Sequence, residues 1–547
     1  MAVFWDSLGI AGAVVFVFFA LGFCIFSHEL GHFLAGRLMG LHIDAFSLGF
    51  RPFWRRKYKG VEYRLGWLPF GGYVELPQID ASDGVPKSAD GKELPRATPL
   101  ARMVTAAAGP LFNILSGLLI GCIVWAVGIP QATPKMREIA VLEVPEHSPE
   151  YQAGLRKGDV IVKLNGEEFF CGWQQFVQKI LYTIDRVTLE VRRGGETHRI
   201  VYQPEENPDA PGQVGFEKLA YPFFEPFIPL KVRPAPGSAA SRAGFRAGDM
   251  VSRIDGRSVT GPEDFASLLG FREGKEVTVE LRRGEENVVV RCVPTVIPGM
   301  EGEERFLVGV VFAGADSLRV RHVMKGGSAE EAGLASGDEI VAADGGAMGS
   351  GEEFRKLVAA AKGAPVTVTV KRDGREMEFK LTPRRSAACE IAGLMLMPYY
   401  DHPTPWAQFV SVLEMSWQSL RGIATTVGHQ LDLTRSRSSL KPSHMSGPLG
   451  IGMVLFNSIR TSVASGIQFM VIISFALAIF NLLPLPVLDG GHILFGLVEL
   501  VCRRPVPAPV LKALSYVFIA LLVSLMLFVT FSDVRRAAWQ VSNSMRK

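Results

Sequence analysis

This 547-residue chain is short of charge and of cysteine. Charged residues make up 20% of it against 48% hydrophobic ones, and the net charge is +4. So even a balance gives no case for nucleic acid, which demands a basic face to meet phosphate. The six cysteines (Cys24, Cys122, Cys171, Cys292, Cys389, Cys502) are scattered, with no CxxC and no close pairing. That argues against a disulfide framework and against a thiolate zinc site. Met1–Leu8 carries no Lys or Arg, and no small-residue cleavage pattern follows. The first apolar run therefore reads as a retained span, not a removed signal.

What is present in quantity is apolar sequence. The mean hydropathy is +0.21, and the length predicts roughly three to five units rather than one. Four charge-free stretches reach the ~20 residues that a bilayer requires: Leu8–Phe26, continuing helically through His32, then Met103–Ile129, Thr461–Leu488 and Ala513–Phe531. Arg51, Arg55, Arg56, Lys57, Lys59 and Arg64 crowd the loop after the first. The positive-inside rule puts that loop in the cytoplasm and the region from about Lys135 to Arg460 on the outer face. Arg535, Arg536, Arg546 and Lys547 leave the side of the C-terminal tail open.

The first span ends in Phe26-Ser27-His28-Glu29-Leu30-Gly31-His32. His28 and His32 project from one helical face a turn apart, so two neutral imidazoles can hold one Zn²⁺. Glu29 beside them can take a proton from metal-bound water. Such a pattern also occurs by chance, but ionisable groups at lipid depth are costly and mark function.

A third ligand is still needed, because a catalytic zinc keeps three protein ligands and one open position. The third span runs Asn481-Leu482-Leu483-Pro484-Leu485-Pro486-Val487-Leu488-Asp489-Gly490-Gly491-His492. Its prolines break the helix, and Asp489 at its end is the best candidate; the alternative is an interfacial carboxylate at a helix end. Asn481 could donate to a developing oxyanion or merely hold the broken helix. For His492 a structural or supporting role is expected.

Two further stretches flank the metal motif. Tyr63 to Glu75, with Gly71, Gly72 and Tyr73, is aromatic-rich and punctuated by glycine, which predicts a membrane-surface hairpin. Its edge could pair with an extended peptide, or the hairpin could simply shield the site. Ala106-Ala107-Ala108-Gly109-Pro110-Leu111-Phe112-Asn113 opens the second span; its small residues allow close helix contact, and Asn113 must find a polar partner. Between 401 and 460 the chain is amphipathic, as for helices lying on the membrane.

The outer region repeats. Ala153-Gly154-Leu155-Arg156-Lys157-Gly158-Asp159 recurs from Ala243 and again from Ala332, offsets of 90 and 89 residues. Each copy is followed by Asn165-Gly166, Asp255-Gly256 or Asp344-Gly345, then by a strand–turn–strand unit from Val187, Val277 or Val366. The pattern looks like three tandem PDZ domains. Each would offer a groove for a peptide or chain end, or would serve as a steric filter with its groove occluded.

With these residues in view the chain resembles the site-2 protease family of intramembrane zinc metalloproteases, in its bacterial regulator-of-sigma-E protease branch. The resemblance rests on His28–His32, Phe70–Val74, Gly109–Asn113, the outer modules, Ser446-Gly447-Pro448 and Asn481–His492. It implies Zn²⁺ on His28, His32 and Asp489, with Glu29 as general base. It also implies Gly71–Tyr73 pairing with a substrate strand, and Asn113 and Asn481 helping to hold the substrate. The expected fold is an α-helical polytopic membrane protein of about four transmembrane helices, with a membrane-associated β-hairpin region and three tandem PDZ domains. The expected units are 1–36, 37–102, 103–130, PDZ domains at 131–222, 223–312 and 313–400, then 401–460, 461–500 and 501–547. The implied activity is cleavage of single-span membrane proteins, anti-sigma-factor-type regulators and remnant signal peptides, at a bacterial inner membrane after their outer domains are trimmed. Family members with two PDZ modules are the best known, so a third puts the filtering of substrates in doubt. The rival reading is a non-catalytic PDZ scaffold with a structural metal.

Overall fold

Apolar helices and small sheets are segregated along the chain, as their sequence periods require. The computed structural model describes residues 2–79, 85–131, 133–207, 220–259, 261–284, 286–297, 305–312, 318–372, 374–386, 389–397, 399–504 and 506–545. Four helices there are long and apolar enough to cross a membrane: Gly9–Leu38, Pro99–Val127, Val463–Asn481 and Pro509–Ala538. The third is shorter than the expected run to Leu488. It stops at Asn481, Leu482–Leu488 proceeds by turns, and Asp489–Cys502 is a separate helix. Pro484 and Pro486 account for the break, since proline lacks the amide donor and crowds the preceding turn.

The first two spans cross backbone to backbone. A Cβ on Gly31 would overlap the Ala108 carbonyl, so only glycine permits this approach. The third span joins them through Ser474, whose Oγ donates to Asn113 O at 2.9 Å, and through Phe475, whose ring fills the space left by Gly117. Only 6% of the fourth span's apolar window is buried, so polar contacts rather than packing attach it. Fully buried Asp533 accepts from Gly450 N (2.7 Å) and Arg536 (2.8 Å), and Arg536 also donates to Met445 O. The carboxylate thus caps the N-terminus of helix Pro448–Thr461 from another element, where Gly447 offers no side chain of its own.

Strands β1 (Ala45–Tyr58) and β2 (Val61–Glu75) make more than a plain hairpin. Ala45–Leu48 pairs on one side with Glu62–Leu65 and on the other with Glu75–Gly72. Gly72–Glu75 is therefore an outer strand of this small sheet.

The outer region leaves the second span and returns through one ribbon, Ile129–Gln131 paired with Tyr399–Asp401. Inside it lie three repeat modules with the same skeleton. Asp159, Asp249 and Asp338, each 1% exposed, accept a two-pronged contact from Arg193, Arg283 and Arg372. Each arginine also donates to the carbonyl of Gly154, Gly244 or Gly333. Asn165, Asp255 and Asp344 sit at positive φ and accept from Thr188, Thr278 and Thr367.

The modules are nested rather than simply consecutive, which corrects the expected boundaries. Leu230–Pro234 of the second sheet pairs with Leu394–Leu396, and Thr295–Val296 pairs with Cys389–Glu390. The third module lies between those partners and closes on itself through Val310–Phe312 with Val320–Val323 and Arg305–Leu307 with Arg384–Ser386. A cut at 312 would thus remove the second module's edge strand and split the third module between its two paired strands. The first module rests on helix Pro405–Gln430 and the chain after it. Asp185 N donates to Arg437 O and Arg437 N to Asp185 Oδ1, both at 2.8 Å, while Ser439 Oγ donates to Leu181 O. That helix also packs Phe409 and Val412 against Val124 and Phe475, so it is more than a surface helix.

Burial works to raise the pKa of Asp249, but hydrogen bonds from Arg283 and from Arg246 N outweigh it and hold the carboxyl below its ordinary value. Its contribution to stability is thus present above about pH 4 and lost as pH falls through the lower folded value. Asp249→Ala should cost the second module about 2–4 kcal/mol, discounted because the Arg283 side chain is 23% exposed. Hydrogen exchange of the full chain should show faster exchange in 249–254 and 277–283 with the first module unchanged.

Candidate metal centre

Three side chains converge where the first two spans cross. His28 Nε2 lies 3.1 Å from His32 Nε2 and 3.1 Å from Asp489 Oδ2, and His32 Nε2 lies 3.4 Å from Asp489 Oδ1. Among the described residues they are the one His/Cys/Asp/Glu group able to share a metal ion. All three side chains are largely buried, at 11%, 13% and 17% exposure.

The local sequence explains each position. His28 and His32 share a face because the first span is helical through both. Asp489 opens its own helix, and its aim is fixed by the glycines after it. A Cβ on Gly490 would strike the Leu482 and Leu483 carbonyls, and one on Gly491 the Leu485 carbonyl. The Leu-Asp-Gly-Gly turn can therefore pack flat on the broken segment before it.

The donor set suits Zn²⁺. Two imidazoles and a carboxylate are ordinary zinc ligands, and bonds of about 2.0–2.1 Å set tetrahedral ligand separations near ~3.3 Å. The observed 3.1–3.4 Å matches. Buried Asp489 Oδ2 has no hydrogen-bond donor to satisfy it. Gly109 closes the case: a Cβ there would run into His32 Nε2 and Cε1 and His28 Cε1.

Supporting groups hold the rings. His32 Nδ1 donates to Thr105 O at 2.8 Å, leaving Nε2 with its lone pair toward the site. His28 Nδ1 lies 3.3 Å from the Asn113 amide nitrogen, while Asn113 Oδ1 is buried without a partner. Turning the amide over satisfies both: Nδ1–H then donates to Oδ1, as ligation through Nε2 requires. Asn113 therefore stands fully buried behind His28, at the ring nitrogen turned away from Asp489.

Glu29 faces the sheet. A Cβ on Gly72 would meet Glu29 Cγ and Ile25 Cγ2 at about 3 Å. Gly72 and Tyr73 thus lie on the outer strand that passes beside Glu29, and Gly71 leads into it, with Tyr73 Oη accepting from Arg64. A largely apolar cavity of about 330 Å³ lined by Phe18, Phe23, Phe26, Leu48, Leu65 and Gly71 runs along the same side. Asn481 ends the third span and makes no hydrogen bond to His28, His32, Glu29 or Asp489 among the described residues. His492 lies in the first turn of helix Asp489–Cys502, outside the convergent three.

Sequence reasoning missed Thr105 and the intrusion of Gly109 on both rings. The run Ala106–Gly109 signalled close packing, yet the same signal fits any helix crossing.

Peptidase family M50 matches residues 16–525 of this chain. A protein of Vibrio cholerae bearing a zinc-metalloprotease name is 24% identical, covering 94% of this chain and 97% of its own. The regulator of sigma-E protease RseP of Escherichia coli is 25% identical over 94% and 97% of the two chains. Its namesake from Salmonella typhimurium is 24% identical over 94% and 97%.

Gly109→Ala should abolish metal uptake even though alanine favours the helix, because the added carbon occupies the space of both rings. Asn113→Leu should weaken zinc affinity by about 10–100-fold. Chelator competition on the purified protein measures both. Wild-type affinity in Asn113→Leu would refute the role given to its amide.

Proposed function

The chain belongs to peptidase family M50 and is a zinc metalloprotease of the site-2 type, and we propose that it cuts single-span membrane proteins within or beside their spans. The observation that carries this reading is the convergence of His28, His32 and Asp489 at the crossing of two apolar helices. Proposed substrates are anti-sigma-factor-type regulators and remnant signal peptides. The protein is an integral membrane protein, with four helices among the described residues long and apolar enough to cross a membrane. The charge asymmetry supports a bacterial inner membrane with the outer modules on the far side from the basic loop.

His28, His32 and Asp489 would hold Zn²⁺, which would supply Lewis-acid activation of water and of the scissile carbonyl. Glu29 takes the proton of the attacking water and returns it to the leaving amine. A helical substrate hides its carbonyls in its own hydrogen bonds, so it must unwind before attack. The strand Gly72–Glu75 offers replacement partners by strand addition, and the neighbouring apolar cavity suits the freed side chains. Asn481 is assigned to steady the oxyanion once substrate draws the broken segment in.

The three modules read as PDZ domains, each with an edge strand beside a helix. Their place between the second and third spans suits a filter that admits only trimmed substrates. The scaffold reading is less well supported, because a structural zinc takes four protein ligands and three converge here.

Glu29→Gln should stop cleavage of a model single-span substrate by the purified enzyme, with zinc content unchanged. Gly72→Val should cut the rate at least tenfold by pushing the strand off Glu29, again with zinc retained. Cleavage surviving in Glu29→Gln would sink the mechanism.

A further inference from the structure

The three modules differ at the loop that precedes their edge strand. In the second it is Ala392-Gly393-Leu394 and in the third Val308-Gly309-Val310, with glycine at φ of 76° and 86°. The strand registers put Pro222-Phe223-Phe224 at the same place in the first module, since Val141 faces Pro226 as Val232 faces Leu396, and Phe227 N donates to Ala140 O as Met397 N does to Lys231 O. Phe223 is not at positive φ. The loop's polar contact is also reversed. In the second and third modules the amides of Ala240 and Ala329 donate to the carbonyls of Ala392 and Val308. Both alanines are fully buried, and no hydrogen bond from the Gly393 or Gly309 amide is recorded among the described residues. The first module has Glu150 at that position, and its Oε1 accepts from Phe223 N at 3.2 Å.

Glu150 is 1% exposed, its Oε2 has no hydrogen-bond partner, and burial pushes its carboxyl up to about 7. A carboxyl held so poorly satisfied costs stability, and the repeats show that alanine fills the position without that cost. Loop amides of this kind are the donors that capture a peptide's terminal carboxylate when a chain end adds as a strand. Trp173 reinforces the closure: its Nε1 donates to Tyr221 Oη at 3.0 Å and its ring meets Phe224 edge-on.

We propose that Glu150 acts as a built-in terminal carboxylate, occupying the loop donor of the first module so that this module takes no peptide chain end and serves as the docking element on helix Pro405–Gln430. The proposal rests on the reading of the modules as PDZ domains. Chain ends are then left to the glycine loops. In the second module that loop runs into an edge strand whose Met395 and Leu396 are exposed.

The test is photo-crosslinking of the full-length protein in detergent with a peptide of apolar last residue, as the free acid and as the amide, mapped by mass spectrometry. Wild type should show free-acid labelling outside 131–227 only. Glu150→Ala/Phe223→Gly, which copies the second module's loop, should gain free-acid labelling in 173–181 and 222–227 at least tenfold over the amide. Glu150→Gln, which keeps the acceptor, should stay closed. Hydrogen exchange at 160–164 and 187–193 reports whether each variant is folded, and Glu150→Ala alone replaces the double variant if that one is not. Labelling of the first module in wild type, or no gain in a folded variant while the second module is labelled, overturns the proposal alone. No free-acid labelling anywhere overturns the PDZ reading and this proposal with it.

Discussion

The backbone contact between Gly31 and Gly109 is the constraint on which the site depends. Imidazoles and a carboxylate at lipid depth are expensive unless every polar atom finds a partner. The Nδ1 partners of both rings come from the second span: the Thr105 carbonyl for His32 and the Asn113 amide for His28. Those groups reach because no side chain separates the helices. A single methyl at either glycine would push the spans apart or enter the space between the rings. Helix propensity would favour alanine at both places by roughly 1 kcal/mol each, so the glycines reflect packing and not secondary structure.

Around that crossing, rigid and broken elements have separate tasks. The intact first span carries both histidines, and the broken third span delivers Asp489 from a turn that only glycine allows. Irregular backbone at this depth survives where it lies against protein or a water-filled space. The outer strand of the β1–β2 sheet answers the same requirement from the other side. Its Gly72 leaves no room for a side chain against Glu29, so the catalytic base and the strand offered to a substrate lie in direct contact.

Local patterns were legible in the sequence, and distant pairings only where chemistry demanded a partner. His28, Glu29 and His32 sit within one helical turn and could be read directly. Asp489 could be found from the count of ligands a catalytic zinc lacks. Asn113 was visible as a polar group in lipid, but its partner lies 85 residues away, and nothing in the spacing says which ring it meets. The repeats were plain because the Arg–Asp and Asx–Thr contacts recur at fixed separation. The exchange of the edge strand was not. A repeat offset detects which segments are alike, whereas Leu230–Pro234 pairing with Leu394–Leu396 depends on where each loop closes.

That exchange makes the outer region one mechanical piece. The second sheet cannot take its last strand until the third module has been made, and Lys325 of the third module then donates to Ser258 O and Asp264 of the second at 2.6 and 2.7 Å. The region enters and leaves through the ribbon Ile129–Gln131 with Tyr399–Asp401, tied by Lys135 to Asp401 and by His402 to the Trp125 carbonyl. Its second support is the first module's contact with Arg437–Ser439, which leads within ten residues to the helix that Asp533 caps. A load on the modules can therefore pass to the end of the second span, to helix Pro405–Gln430, or to the segment that fastens the fourth span. The first of these routes ends on the helix whose Thr105 and Asn113 hold the rings.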